Sequence, residues 1–177
     1  MIVVRAADRF ETVQPGIRTW HCFSAGQHYD PSNVAFGPVV GVDEHVLEPG
    51  AGFSEHAHRG VEILSFVADG ALRHGGDVDV VITAGETYRQ DASLPIKHDE
   101  SNAGDKPLRF IQSTVLAGAG AALAVHRGTF RVDAEWSHVF VVSGSWRIGH
   151  VTLSNGDSVR ADSLLQVHGD GVVLVLS

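Results

Sequence analysis

Two short segments of the sequence carry imidazole and carboxylate groups at a spacing suited to metal binding. The first is His56-Ala-His58, and the second, His98-Asp-Glu100, follows about forty residues later. Residues two apart on a β-strand point to the same face, so each segment would present a pair of donors. On neighbouring strands the two pairs would lie about 5 Å apart, which lets all four donors bind one ion. The spacing therefore predicts a metal site with these four side chains as ligands.

The donor types indicate which ion would bind. Three imidazoles and a carboxylate suit a borderline divalent metal such as iron, nickel, copper or zinc. The chain has 11 histidines, so unrelated surface histidines are the alternative explanation. Two separate i,i+2 pairs in strand-like sequence favour the metal site. We expect the remaining histidines to be surface or hydrogen-bonded polar residues without a second metal; they are His21, His28, His45, His74, His126, His138, His150 and His168.

A second carboxylate, Glu62, competes with Glu100 for the role of ligand. Glu62 follows His58 by four residues, which is about 13 Å along a straight strand. It could reach the same ion only if the strand were distorted, and Gly60 is a residue that could host a bulge. Glu100 needs no distortion, so we predict Glu100 as the ligand. Glu62 would then pair with Arg59 or Arg73, or accept a hydrogen bond from a ligand histidine.

Composition places the chain among globular proteins. It has 177 residues, of which 44% are hydrophobic and 19% charged; this content favours a packed core over disorder. The net charge of −8 comes without a basic cluster, which argues against direct nucleic-acid binding. The single cysteine, Cys22, excludes an internal disulfide, and no signal peptide or apolar membrane span is visible. We therefore expect a cytoplasmic protein that contacts neither nucleic acid nor membrane.

The spacing of turn residues predicts an all-β fold. Twenty glycines and six prolines interrupt short runs of alternating or β-branched residues, a pattern typical of many short strands. A small-residue stretch at 116–123 reads as a linker, which divides the chain into residues 1–116 and 117–177. The first copy has Val67-Ala-Asp-Gly and then the turn Thr83-Ala-Gly-Glu. The second copy has, in the same order, Val142-Ser-Gly-Ser and then Ser154-Asn-Gly-Asp. The repeat favours two related β units, each with Gly-centred turns between strands.

Longer motifs resemble those of the cupins, and more narrowly the pirin family. The first cupin motif can be read at Gly50, His56, His58, Glu62 and Gly70, and the second at Gly85, His98 and Asn102. The pirin resemblance extends over residues 20–115, through Phe23-Ser-Ala-Gly-Gln-His-Tyr-Asp-Pro31, Phe36-Gly-Pro38, Pro49-Gly-Ala-Gly-Phe53, His56-Ala-His-Arg-Gly-Val-Glu-Ile63 and Phe110-Ile-Gln112.

The resemblance implies a double-stranded β-helix (cupin or jelly-roll barrel) with a metal site in residues 1–116, followed by a reduced cupin-like β unit. It implies one divalent ion, usually Fe(2+), with Ni, Cu, Zn or Mn as alternatives, held by His56, His58, His98 and Glu100. In some members the associated activity is oxygen-dependent cleavage of the flavonol quercetin, which here would use Glu100 as base. In others the role is a redox-sensitive cofactor of transcription regulators, which would imply a protein partner instead of a small-molecule substrate.

The sequence departs from the family pattern beside the ligand segments. The residues before His98 are Gln90-Asp-Ala-Ser-Leu-Pro-Ile96, in place of the family's Gly-rich motif, and the turn after the first motif is shortened to His74-Gly-Gly-Asp-Val-Asp79. The C-terminal copy is also shorter than in typical pirins. These changes leave the predicted ligands in place but fall where a substrate pocket would be formed. The substrate is therefore the property that the family resemblance predicts least well.

Overall fold

Every regular element of the chain except one is a β-strand. The exception is a 3-10 turn at Ala6–Asp8. The computed structural model describes residues 1–177 and divides them into two units, residues 10–119 and residues 1–9 with 120–177. We call them the 10–119 unit and the C-terminal unit. The predicted all-β fold is confirmed, and no helical segment has the length and hydrophobicity needed to cross a membrane.

The 10–119 unit consists of two antiparallel sheets. Its strands are β2 (Phe10–Gln14), β3 (Ile17–His21), β4 (Val39–Leu47), β5 (Gly52–His58), β6 (Val61–Asp69), β7 (Ala71–Gly76), β8 (Val80–Thr83), β9 (Thr87–Ala92), β10 (Ile96–Asn102) and β11 (Leu108–Leu116). One sheet has the order β2-β3-β4-β11-β6-β9, and the other has the order β5-β10-β7-β8. The site residues lie on strands of both sheets.

Apolar side chains from both sheets fill the core of the 10–119 unit. The buried cluster contains Ile17, Leu47, Val67, Leu72, Ile82, Leu108 and Phe110, with Phe53 packed against it. Leu72 and Ile82 come from the four-stranded sheet, while Leu47 and Phe110 come from the six-stranded one. Burial of one face of each sheet fixes the strand register, because a slip by one residue would turn these side chains to solvent.

The C-terminal unit is one seven-stranded antiparallel sheet. Its strands are β1 (Ile2–Val4), β12 (Leu123–His126), β13 (Phe130–Val132), β14 (Ser137–Ile148), β15 (Val151–Leu153), β16 (Ser158–Ala161) and β17 (Leu165–Leu176). β14 lies between β16 and β17, and it contributes Val139, Val141, Trp146 and Ile148 to the buried core of this unit.

The division of the chain differs from the predicted one at the N terminus. The small-residue stretch does contain the boundary, which falls at 119/120 instead of 116/117. Residues 1–9, however, belong with the C-terminal unit. The reason is that Val3 pairs with Val159 across β1 and β16, while Asp157 accepts a 2.8 Å hydrogen bond from the Ala6 N–H. Such a pairing over 150 residues leaves no local signal in the sequence.

Gly144 does not form the turn that the repeat predicted. It lies inside β14, with φ of 93°, and a Cβ there would meet the Asp170 carbonyl oxygen of β17. The strand register shifts at this point, between Val141 and Ser143. Glycine is therefore required because the backbones of two long paired strands approach closely at this position. The sequence pattern had predicted a turn that reverses the chain here.

Candidate metal centre

The two predicted ligand segments lie on adjacent antiparallel strands of the four-stranded sheet. His56 and His58 end β5, and His98 and Glu100 are in the middle of β10. His98 is directly opposite His56, and Ile96 is opposite His58. The histidine side chains therefore project from the same face of two paired strands, as residues in register do.

A bulge separates the histidines from the carboxylate. Beyond the His98–His56 pair, the register advances by two residues on β10 and by three on β5, so Glu100 is opposite Phe53. On its other side, β10 pairs with β7, where Glu100 is opposite His74 and His98 is opposite Gly76. Gly76 has φ of 128°, and a Cβ there would lie 2.5 Å from the Lys97 carbonyl oxygen. Any larger residue at position 76 would displace the strand that carries His98.

Three imidazoles converge at one point. The Nε2 atoms of His56 and His98 are 2.8 Å apart, and the His58 ring is 4.7 Å from the His98 ring. One nitrogen from each of the three residues lies within 4.8 Å of the others. A second group, whose donor atoms also lie within 4.8 Å of one another, consists of His74, His98 and Glu100. The two groups share His98, but neither of them contains Glu100 together with His56 and His58.

The hydrogen bonds of the outer ring nitrogens leave the inner nitrogens unprotonated. His56 Nδ1 lies 2.9 Å from the Ser54 carbonyl oxygen, which can only accept, so this nitrogen carries the proton. His98 Nδ1 donates to the Gln90 side-chain oxygen at 2.7 Å. Two facing lone pairs at 2.8 Å repel unless a cation lies between them. His58 Nε2 is also buried without a hydrogen-bond partner. The three residues therefore fit a divalent metal ion.

Burial keeps the imidazoles of His58 and His98 in the form that binds metal. It lowers the pKa of His98 to about 4, and it lowers the pKa of His58 as well, with the charge of His56 adding to the effect. Neutral imidazole is the ligand form of histidine. Burial alone would raise the pKa of Glu100, but the hydrogen bond from His74 and the nearby histidines outweigh it and lower that pKa. The carboxylate is therefore ionised.

Glu100 is held by two side chains to which the sequence analysis gave no role at the metal site. Its Oε1 accepts a 2.7 Å hydrogen bond from Gln112 Nε2 and lies 3.4 Å from His74 Nδ1. His74 Nε2 is in turn 3.2 Å from His98 Nδ1. His74 was expected to be a surface or a hydrogen-bonded polar residue; it is fully buried and lies within hydrogen-bond distance of Glu100 and His98. Only the β7–β10 pairing could have revealed it, because His74 has no second histidine at an i,i+2 position.

Glu62, the alternative carboxylate, is placed elsewhere. The chain turns at Gly60, so Glu62 lies on β6 in the six-stranded sheet. Its carboxylate binds Arg89 of β9, and not Arg59 or Arg73. Arg73 instead binds Asp99 and Asp79. The structure brings Glu100, and not Glu62, into a donor group with a predicted histidine ligand.

A cavity of about 450 Å³ adjoins His56 and Glu100, and its volume is within the range of small-molecule sites. The lining residues are Gln14, His45, Gly52, Phe53, Ser54, His56, Glu100 and Gln112. His56 and Glu100 thus connect the candidate metal centre to a space that could hold a ligand, and Phe53 supplies an apolar wall.

An all-β cupin fold with two groups of His and Glu donors that share His98 defines the class of this protein. The family model described as Pirin matches residues 3–115. The chain belongs to the pirin family, as its sequence motifs indicated.

Similar proteins include several that are named quercetin 2,3-dioxygenase or putative quercetin 2,3-dioxygenase. A Mycobacterium tuberculosis protein named "Putative quercetin 2,3-dioxygenase" is 33% identical over 173 residues, which cover 96% of this chain and 66% of the relative. A quercetin 2,3-dioxygenase of Escherichia coli is 32% identical over 105 residues, or 58% of this chain and 46% of the enzyme. The chain thus spans between about half and two thirds of the length of these relatives.

Solved structures share the fold. The bacterial pirin YhhW from Escherichia coli, in complex with nickel(II), superimposes with a TM-score of 0.89 at 21% identity and covers 99% of this chain and 97% of its own. A protein from Geobacillus kaustophilus gives a TM-score of 0.76 at 15% identity, with 99% and 93% coverage.

Proposed function

We propose that this protein is a metal-dependent dioxygenase that acts on a flavonol or another enolic or phenolic small molecule. The observation that carries the proposal is the convergence of His56, His58 and His98 beside a cavity that Glu100 also lines. A structural metal site would be closed by its ligands, whereas a catalytic one adjoins space for a substrate. The quercetin dioxygenase names of the relatives support the substrate class.

The proposed ligands are His56, His58, His98 and Glu100, and the proposed ion is Fe(2+). Nickel, copper, zinc and manganese are the alternatives, because this donor set accepts each of them. When bound, the ion lowers the pKa of an enolic hydroxyl and supplies the redox chemistry with O2.

The chain's own residues orient the reactants. The Ser54 carbonyl oxygen and the Gln90 side chain hold the rings of His56 and His98, which keeps their Nε2 atoms pointed at one place. Gln112 holds Glu100 through Oε1, which leaves Oε2 available to bind the metal or to accept the proton of the enolic hydroxyl. Phe53 contributes an apolar surface for an aromatic ring.

Metal content and oxygen uptake test the proposal together. Purified protein would be analysed for bound metals, loaded anaerobically with Fe(2+), and screened in an oxygen electrode against quercetin and simpler enols. We expect one ion per chain and O2 consumption with at least one flavonol. The variant His98→Ala should lose most of the ion and the activity, while His150→Ala, an exposed histidine of the C-terminal unit, should lose neither.

Two outcomes would contradict the proposal. Full metal occupancy in His98→Ala would show that the ligand assignment is wrong. Absence of O2 uptake over a wide phenolic panel, with a protein partner that binds only in one metal state, would identify an interaction module and not an enzyme.

A further inference from the structure

His45 is a buried histidine of the cavity wall that the proposed metal centre does not use. It lies on β4, is only 6% exposed, and lines the cavity together with Glu100 and Gln112. Its ring is 4.7 Å from the Phe110 ring of the core and 5.1 Å from the Phe53 ring. The ring is therefore enclosed on its flanks by two aromatic side chains.

One nitrogen of His45 is satisfied and the other is not. Nδ1 lies 2.8 Å from the hydroxyl of Thr19, the residue opposite His45 on β3. Nε2 is buried without a hydrogen-bond partner in the protein. A buried polar atom that lacks a partner costs about 1–3 kcal/mol. Because the His45 side chain lines the cavity, a ligand there is a candidate partner for this nitrogen.

The surroundings keep this ring neutral and fixed. Burial lowers the pKa of His45, so the ring stays uncharged at neutral pH and offers a single donor or acceptor at Nε2. The Thr19 hydroxyl can rotate either to donate to Nδ1 or to accept from it. Either arrangement lets Nε2 bind a hydroxyl group, which itself both donates and accepts. The ring needs no rearrangement to do so, because Thr19 and the two phenylalanines already hold it.

We propose that His45 Nε2 is a specificity-determining anchor that binds a phenolic hydroxyl of the substrate remote from the enolic oxygen held at the metal centre. This inference rests on the function proposed above and narrows its substrate class. The preferred molecule would be a planar aromatic with at least two polar groups, one at the metal donors and one at His45, with its ring against Phe53. A monohydroxylated enol would bind without the second contact.

Equilibrium binding of two probes to the iron-loaded protein under anaerobic conditions tests the proposal. Quercetin carries hydroxyls on both ring systems, whereas 3-hydroxyflavone has only the enolic one. In His45→Phe, which retains an aromatic ring, we expect the Kd for quercetin to rise about tenfold. The Kd for 3-hydroxyflavone should change by less than about twofold, and the iron content should be unchanged.

Further variants separate hydrogen bonding from packing. His45→Gln retains a polar side chain and should recover part of the quercetin affinity. Thr19→Val, which removes the partner of Nδ1, should weaken quercetin binding by a smaller factor than His45→Phe. His168→Phe, at an exposed position of the C-terminal unit, should leave both Kd values unchanged. Thermal unfolding of each variant establishes that it is folded before binding is measured.

The outcomes distinguish this proposal from the one on which it rests. If wild-type protein binds both probes and His45→Phe retains full quercetin affinity, or loses affinity for both probes equally, the role of His45 is wrong while the proposed function stands. If iron-loaded wild-type protein binds neither probe, the flavonol function is wrong and the role of His45 is overturned with it.

Discussion

His98 Nδ1 and the side-chain oxygen of Gln90 are joined by a 2.7 Å hydrogen bond. Gln90 lies on β9 of the six-stranded sheet and His98 on β10 of the four-stranded sheet, so this bond links the two sheets at the candidate metal centre. It fixes the His98 ring and keeps its proton on Nδ1, away from the donor nitrogen. Partners of this kind orient metal ligands and raise their basicity.

Gln90→Leu should therefore weaken metal binding without removing a ligand. We expect the affinity to fall about 10- to 100-fold, measured by competition with a chromophoric chelator. Gln27→Leu provides a control, because Gln27 is exposed on a loop and should have no effect. An unchanged affinity in Gln90→Leu would mean that the His98 ring is held by His74 alone.

The two carboxylates Glu100 and Glu62 should respond differently to the same substitution. Glu100→Gln removes a buried negative charge next to His98 and should lower metal affinity by more than about 100-fold. Glu62→Gln removes only an ion pair with Arg89, whose side chain is 51% exposed, so it should cost less than about 1 kcal/mol of stability. Metal analysis of the two variants checks this, and metal loss in Glu62→Gln would reverse the assignment.

The positions of the two segments that carry the proposed ligands could be predicted from the sequence because their signal is local. A repeat of two residues within a strand places His56 beside His58, and His98 beside Glu100, whatever the rest of the fold does. His74 and His45 gave no such signal, because each reaches the site through pairing with a distant strand. Their places follow from the register, which opposes His74 to Glu100 and His45 to Phe110. Register depends on the whole core and cannot be read from one segment.

Glycine was the least reliable guide to the strands. Gly60 and Gly85 have positive φ and lie between strands, as turn residues should. Gly144, Gly169 and Gly171 also have positive φ, but they lie inside β14 and β17, where the two backbones approach too closely for a Cβ. The sequence does not distinguish a glycine that reverses the chain from one that lets two strands meet, because both need the same absence of a side chain.

Asp157 should hold the N-terminal strand onto the C-terminal unit. Its carboxylate accepts hydrogen bonds from Arg5 at 2.9 Å, from the Ala6 N–H at 2.8 Å and from the Ser154 N–H at 3.0 Å. Burial would raise the pKa of Asp157, but these bonds outweigh it and lower that pKa. Asp157→Ala should cost about 3 kcal/mol of stability, because it leaves several donors unpaired.

Hydrogen exchange locates the effect of Asp157→Ala. The amides of β1 should lose protection, while those of the 10–119 unit should keep it. Asp162→Ala, an exposed carboxylate of the same unit, is the matched control. Equal protection of β1 in wild type and Asp157→Ala would show that strand pairing alone retains residues 1–9.

The buried His138 of β14 should make the C-terminal unit sensitive to acid. Burial, with a smaller effect from Arg160, lowers the pKa of His138 to about 3, against about 6.5 in the unfolded chain. Above about pH 6.5 the ring is neutral in both states. Between about pH 6.5 and 3 only the unfolded chain binds the proton, so stability falls as the pH falls, by up to about 1.4 kcal/mol per pH unit.

His138→Phe should remove that dependence, because phenylalanine does not titrate. Urea unfolding of each protein is followed by tryptophan fluorescence, to which the buried Trp146 contributes, at pH 7.5 and 5.5. The quantity compared between proteins is the loss of unfolding free energy from the higher to the lower pH. We expect a smaller loss in His138→Phe than in wild type, and an unaltered loss in His168→Gln, whose ring is exposed. Metal release in acid affects all three proteins equally, so the difference isolates His138. Equal losses in wild type and His138→Phe would mean that His138 is protonated in the folded protein.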